Sequence, residues 1–224
     1  MKKHETKRMR LLTSLILPCD TFADVGCDHG YFTQYVLKNG LCRKAYMTDV
    51  SEKSLQKAEK LLEEYVERGF AESVCCNGLE SVPVCEQVMI AGMGGEEILS
   101  ILRGGYLPEK LLLQPMQNTP KVRSFLLESG YSIVRDFTFK DGKYYDAIYA
   151  RKGISDRKYT ARDLIYGYDN LHFPERDFAE KVEEDVNKCR ERLSRAGKSV
   201  PAVEKRLAEL TEIRNEIKGN IQPH

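Results

Sequence analysis

With 224 residues, 42% of them apolar, the chain has room for one full α/β domain and a smaller second piece. Its 35 basic side chains stand against 34 acidic ones, and a net charge of +1 excludes a global basic field, so any nucleic-acid surface must be local. Seven cysteines with no C-x-x-C pair and no metal-like spacing exclude a disulfide framework; they fit a reducing cytoplasm and a protein without a metal. No apolar run approaches the ~18 residues of a membrane span, and the basic start is not followed by a signal-type core, so no membrane partner is expected.

Lys7 to Ile16 reads as a short helix with Leu11, Leu12 and Leu15 on one side, stopped by Pro18. Lys2, Lys3, Lys7, Arg8 and Arg10 make its start basic, which suits a solvated helix start or a phosphate-facing edge. Then comes FADVGCDHGY, Phe22 to Tyr31. An apolar run (Phe22, Ala23, Val25) carries Asp24 and breaks at Gly26; Gly30 follows, and an amphipathic segment runs from Tyr31 to Lys38. This is strand, glycine turn and helix, which places a ligand at the C-terminal end of the first strand of an α/β sheet. A dinucleotide fingerprint would need glycine where Asp28 and Tyr31 stand, and a P-loop would need a Lys-Ser or Lys-Thr pair that is missing. What remains, D-x-G-x-D-x-G, resembles motif I of class I S-adenosylmethionine-dependent methyltransferases. There glycine lets the backbone approach the methionine half of the cofactor, and Asp24 and Asp28 can take its ammonium group, directly or through water.

Ala45 to Asp49 is a second strand ending in an acid, at about the 20-residue offset from Gly26 where α/β folds hold a ribose. Such a carboxylate accepts hydrogen bonds from both ribose hydroxyls. Ser51 offers a helix N-cap, and Leu55, Ala58, Leu61, Leu62 and Tyr65 give the following helix one apolar face down to Arg68. Ala71 to Cys76 is a third strand running into Asn77-Gly78, either a plain turn or a contact to an adenine amino group through the Asn77 amide oxygen. Gln87 to Ala91 is a buried strand that opens into Gly92-Met93-Gly94-Gly95; three glycines at a strand end permit close backbone approach to a ligand. A helix from Glu96 to Leu102, a fifth strand from Leu111 to Leu113 and a helix from Val122 to Leu127 with Gly130 as its cap come next. Ser132 to Phe139 and Lys143 to Ala150 then pair around Asp141-Gly142 as a hairpin. Arg151 to Lys158 is polar and reads as a linker. Phe178, Val182, Val186, Cys189 and Leu193, then Val203, Leu207, Leu210 and Ile217, give two helices with a/d-like stripes, an antiparallel hairpin turned at Gly197 and Pro201.

DVGCDHGY, NGLE, IAGMGGEEI, LLQPM and GKYYDAIYA, in this order, resemble the bacterial tRNA (adenine-22-N1)-methyltransferase family from about Leu11 to Ala150, and more weakly into the hairpin. The resemblance implies an α/β, Rossmann-like seven-stranded methyltransferase sheet in residues 1–153 and a coiled-coil-like helical hairpin in residues 154–224 that helps hold tRNA. It implies S-adenosylmethionine as methyl donor and a monomeric enzyme with tRNA as its partner. Cofactor contacts are then expected at Asp24, Gly26, Asp28, His29, Gly30, Tyr31, Asp49, Val50, Asn77, Gly78, Ala91, Gly92, Met93 and Gly94. Gln114 and Pro115 would shape the target-base pocket. His29 suits a turn-stabilising role or a base-handling one. Asn77 and Met116 stand where the family usually carries an acid and an asparagine. Phosphate contacts are expected from the basic start, from Arg151, Lys152, Arg157 and Lys158, and from Arg190, Arg192 and Arg195. Two other readings keep most of these residues: a methyltransferase for a small metabolite, and a non-catalytic protein that binds S-adenosylmethionine or RNA.

Overall fold

The computed structural model describes residues 6–220, so Lys2 and Lys3 lie outside the described residues. Seven strands form one sheet in the order β3-β2-β1-β4-β5-β7-β6. These are β1 (Cys19–Val25), β2 (Cys42–Asp49), β3 (Ala71–Cys75), β4 (Gln87–Met93), β5 (Lys110–Pro115), β6 (Tyr131–Asp141) and β7 (Lys143–Lys152). Strands β1 to β5 pair in parallel, and β7 inserts antiparallel between β5 and β6. Period-two alternation sorts the strand residues into two cores. Phe22, Met47, Met89 and Leu112 face α1 (Lys7–Ser14), α2 (Tyr31–Lys38) and α3 (Glu52–Leu61). Ala23, Val25, Ile90, Leu111 and Leu113 face α5 (Gly95–Gly104) and α6 (Thr119–Glu128).

The alternation of strands and helices, the final strand pair and the Ser51 cap agree with expectation; the Ser51 hydroxyl accepts from Ser54 N at 3.3 Å. Three local features differ. The helix after Ser51 breaks at Leu62 into α3 and the short α4 (Glu63–Glu67). Arg151 and Lys152 extend β7 rather than start a linker, because β5 and β6 both continue far enough to pair with them. Two further short helices, α7 (Ala161–Tyr166) and α8 (Tyr168–His172), precede the helical pair; a capping box of Thr160 and Asp163 starts the first.

The helical pair is α9 (Arg176–Ala196) and α10 (Pro201–Ile217). Phe178, Val182 and Val186 pack on Leu210, Ile213 and Ile217. Arg214, late in α10, lies 3.6 Å from Glu183 in the first half of α9, so the two run antiparallel.

These helices are tied to the sheet by a buried polar network. Arg123 on α6 is fully buried, and its Nε donates to both carboxylate oxygens of Asp136 on β6 at 2.9 Å. Its Nη1 donates to the carbonyls of Leu164 and Ile165 at the end of α7. Strand β6 is the sheet edge, and its outward N–H groups would otherwise be unpaired. Asp169 accepts from Asp136 N at 2.9 Å, Asn170 from Thr138 N at 2.8 Å and Asp177 from Lys140 N at 2.8 Å. Three side chains thus complete the edge strand. Asp136→Ala would strand a buried guanidinium, so the unfolding free energy should fall by about 3–5 kcal/mol. Urea unfolding followed by circular dichroism measures it, and a loss under about 1 kcal/mol would show that Arg123 finds another acceptor.

Candidate active site

The C-terminal ends of β1, β2 and β4, with the turn after β3, open into one cleft of about 450 Å³, within the usual size of small-ligand pockets. Asp24, Gly26, Asp28, His29, Tyr31, Asp49, Val50, Asn77, Gly78, Ala91, Gly92 and Met93 all line it. Gly30 and Gly94 do not. Gly30 (φ +72°) opens α2, and a Cβ there would come within 2.9 Å of the Ala58 Cβ, so its glycine serves helix packing. A second, more open depression of about 580 Å³ lies at the opposite end of β1 and β2, among Asp20, Cys42, Arg43 and Phe70. It gathers no convergent chemistry.

Backbone hydrogen bonds fix the turn after β1. Gly26 N and Cys27 N both donate to the Thr48 carbonyl, at 2.8 and 3.0 Å. Asp28, itself left-handed at φ 48°, donates its N–H to Asp49 Oδ2 at 3.3 Å, and Ser51 N donates to Asp49 Oδ1 at 2.9 Å. The Asp49 carboxylate is therefore held in place at the cleft wall with acceptor capacity to spare. Asp24 is buried, and Thr33 donates to it from both its backbone N–H and its hydroxyl. Burial pushes its carboxyl up to about 6, an effect that the Thr33 bonds partly offset and the Asp49 charge reinforces. His29 pairs with Asp28 at 2.7 Å and stacks on Tyr31. Asn77 is exposed at the cleft, and Gly78 behind it has a positive φ and no room for a Cβ beside Ile101.

Gln114 and Pro115 are buried and do not line the cleft. Gln114 meets it through Arg8, whose Nε donates to Gln114 Oε1 at 2.8 Å. Arg8, which the sequence marked only as a candidate phosphate contact, lines the cleft, together with Phe32, Glu97 and Cys76, which it did not mark. For Arg8 the local signal was a run of cations, which suits a solvated helix start or a phosphate-facing edge and does not place the side chain at the cleft. Elsewhere in that set, Lys7 pairs with Asp177 at 2.7 Å and Arg157 with Asp169 at 2.8 Å, leaving Arg10, Arg151, Lys158, Arg190 and Arg192 exposed without a carboxylate partner among the described residues.

This strand order, with β7 antiparallel beside β5 and a glycine-bounded cleft at the ends of β1, β2 and β4, defines an α/β protein of the methyltransferase type. A family model described as a methyltransferase domain matches residues 5–148, and the chain belongs to that family. It is 27% identical over 169 residues to the tRNA (adenine(22)-N(1))-methyltransferase of Bacillus subtilis (strain 168), covering 72% of this chain and 71% of that one. Among solved structures, it superposes on TrmK of M. capricolum, solved with S-adenosyl-homocysteine, with a TM-score of 0.78 at 22% identity, covering 96% of both chains. The m1A22 tRNA methyltransferase TrmK of B. subtilis gives 0.76 at 21% identity, covering 97% of this chain and 99% of that one.

The raised Asp24 carboxyl makes stability pH-dependent. Its folded value of about 6 exceeds the unfolded value of about 3.9, so below both the group costs nothing, and as pH rises through 6 the folded state must bury the charge. Asp24→Asn, which cannot ionise, should gain about 2 kcal/mol on the wild type between about pH 4.5 and 7.5. Urea unfolding of both proteins at the two pH values checks this, and parallel pH profiles would contradict it.

Proposed function

We propose that the protein transfers the methyl group of S-adenosylmethionine to N1 of adenine 22 in the D-arm of tRNA. The observation that carries this reading is the cleft itself: a fixed carboxylate at the end of β2, a buried acid in β1 and two glycine turns, in a chain whose curated relative bears that activity in its name. The donor set fits the cofactor. Asp49 suits the ribose hydroxyls, Asp24 with Asp28 the ammonium group, and Val50 and Asn77 the adenine, while Gly26 and Gly92 admit close backbone approach. Met93, His29, Tyr31, Gly78 and Ala91 complete the walls, and Gly30 and Gly94 support them from behind.

S-adenosylmethionine supplies a methyl group on a sulfonium, which needs only an aligned lone pair to receive it. Adenine N1 carries that lone pair, so no strong general base is required, and His29 works as a partner of Asp28 rather than as a base. The protein's part is alignment, an effect worth up to about 7–11 kcal/mol. In a paired adenine N1 is engaged, so the nucleotide must leave its stack at a cost of a few kcal/mol. Gripping the tRNA while that happens falls to residues 154–224, with Arg190 and Arg192 as phosphate contacts and Arg10, Arg151 and Lys158 beside the sheet domain. The division after residue 153 is one of labour: because Arg123 and the β6 edge use residues 164–177, a fragment ending at 153 should be less stable than the whole chain. The enzyme works as a monomer in the cytoplasm; no helix among the described residues is long and apolar enough to cross a membrane.

Labelled methyl transfer from S-adenosylmethionine to an unmodified tRNA transcript tests the reading. Label should enter the wild-type transcript and be lost when adenine 22 is replaced by guanine; transfer to free adenosine with none to tRNA would favour a small-molecule enzyme. Asp49→Ala should weaken S-adenosylhomocysteine binding by about 1–3 kcal/mol, through loss of charge-assisted ribose bonds. Calorimetry showing unchanged affinity would remove Asp49 from the site.

A further inference from the structure

Four carboxylates line the cleft, those of Asp24, Asp28, Asp49 and Glu97. The protein itself engages three of them. Thr33 donates twice to Asp24, the N–H groups of Asp28 and Ser51 donate to Asp49, and His29 pairs with Asp28. Glu97 is exposed, and among the described residues its carboxylate has neither a hydrogen bond nor an ion pair. Glu96 beside it does not line the cleft and is taken up by Lys121.

The fold sets Glu97 against one part of the cleft. It lies in the first turn of α5, four residues before Ile101, so the two share a helix face. Ile101 packs on the turn after β3, where a Cβ on Gly78 would come within 2.7 Å of its Cγ2. That turn is fixed in its own right, since the Gly78 carbonyl accepts from the Thr48 hydroxyl at 3.0 Å. Glu97 is therefore one helical turn nearer the strand ends than the seat of Asn77 and Gly78, and all of these residues line the cleft. The positive end of the α5 dipole favours an acid in its first turn whatever it binds, so position alone names no ligand. What names one is the shortfall at Asn77. Its side chain is exposed and has one neutral acceptor oxygen, whereas an adenine amino group carries two N–H donors.

We infer that Glu97 receives the exocyclic amino group of the cofactor's adenine, taking the N–H that the Asn77 amide oxygen leaves, and so makes the cleft select a 6-amino purine. The inference rests on the methyl-transfer reading above, which puts the adenine beside Val50 and Asn77. A carboxylate makes the stronger, charge-assisted bond to the amine. A 6-oxo purine would instead set its carbonyl against that carboxylate, two acceptors with no proton between them. The group that attracts adenine thus rejects its deaminated form, as sites built around a hydrogen bond do.

The test uses the full-length chain with Glu97→Leu, which removes the acceptor, and Glu97→Gln, which removes the charge and adds a donor. Calorimetry measures S-adenosylhomocysteine and S-inosylhomocysteine, its 6-oxo counterpart, and methyl transfer to tRNA is measured beside them. The wild type should bind S-adenosylhomocysteine about tenfold or more tightly than the 6-oxo form. Glu97→Leu should weaken S-adenosylhomocysteine about tenfold and leave S-inosylhomocysteine unchanged or tighter, so the preference collapses. Glu97→Gln, whose amide can donate to the 6-oxo group, should gain on S-inosylhomocysteine while losing part of its hold on S-adenosylhomocysteine. A wild type that binds both forms equally overturns the inference, and so does an equal loss of both in Glu97→Leu, which would mark a packing role only. An unchanged preference in both variants overturns it too, and a fall in tRNA methylation alone would place Glu97 on the RNA instead. Should Glu97→Leu fail to fold, Glu97→Gln carries the same comparison. A wild type that binds no S-adenosylhomocysteine would instead fail the underlying reading, and the inference with it.

Discussion

Strand β1 is hydrogen-bonded in parallel to β2 on one side and to β4 on the other, so the chain must leave its C-terminal end over a gap between two diverging connections. That gap is where open α/β sheets hold ligands. Here both rims are set by backbone hydrogen bonds. Gly26 and Cys27 are pinned to the Thr48 carbonyl, and on the far side Met116 N bonds Met93 O while Gly95 N bonds Gln117 O. Gly95 is needed at that second zip because a Cβ would sit 2.5 Å from the Gln117 carbonyl. The acids of the cleft inherit their positions from these turns. Asp49 is oriented by the N–H groups of Asp28 and Ser51, and Asp24 by Thr33. Such a preorganised wall suits a reaction in which alignment supplies most of the rate.

A second constraint acts at the other side of the sheet. Placing β7 inside leaves β6 as an edge, and Asp169, Asn170 and Asp177 close it with side-chain acceptors. Asp177 also binds Lys7 on α1, and Asp141 at the β6–β7 turn binds the N–H of Arg8. The C-terminal helices, the edge hairpin and the N-terminal helix therefore form one connected set that ends at the cleft. Lys140 adds to it, pairing with Glu184 on α9 at 3.0 Å beside Tyr144.

Much of this was legible in the chain. The glycine turn after Val25, the acid ending β2 and the glycine block after β4 are local signals, each requiring particular residue types at fixed spacing, and all three meet at one cleft. The heptad-like stripes of Phe178 to Val186 and Leu210 to Ile217 likewise form the expected hairpin core. What escaped is placement set by distant segments: Arg8 was marked as a phosphate contact but not as a wall of the cleft, and Arg123 was not marked at all. Arg8 meets a glutamine 106 positions away, and Arg123, which looks like an ordinary helix-surface arginine, is fully buried against a strand and a later helix. No periodicity announces such contacts. Helices α7 and α8 were too short to show an apolar stripe, although Thr160 and Asp163 did carry a capping signal. Gln114 was singled out for the base pocket, yet its side chain is covered by Arg8, a relation that requires three strands and a helix to be in place.

The central claim is that the cleft at the ends of β1, β2 and β4 is built for a methyl donor carrying an adenosine and an amino-acid end. Titrating the purified wild-type chain calorimetrically with S-adenosylhomocysteine and, separately, with NAD tests it most directly. The account predicts saturable one-to-one binding of S-adenosylhomocysteine and none of NAD, because Asp28 and Tyr31 occupy the positions where a dinucleotide fingerprint needs glycine. Tight NAD binding with no response to S-adenosylhomocysteine would contradict it.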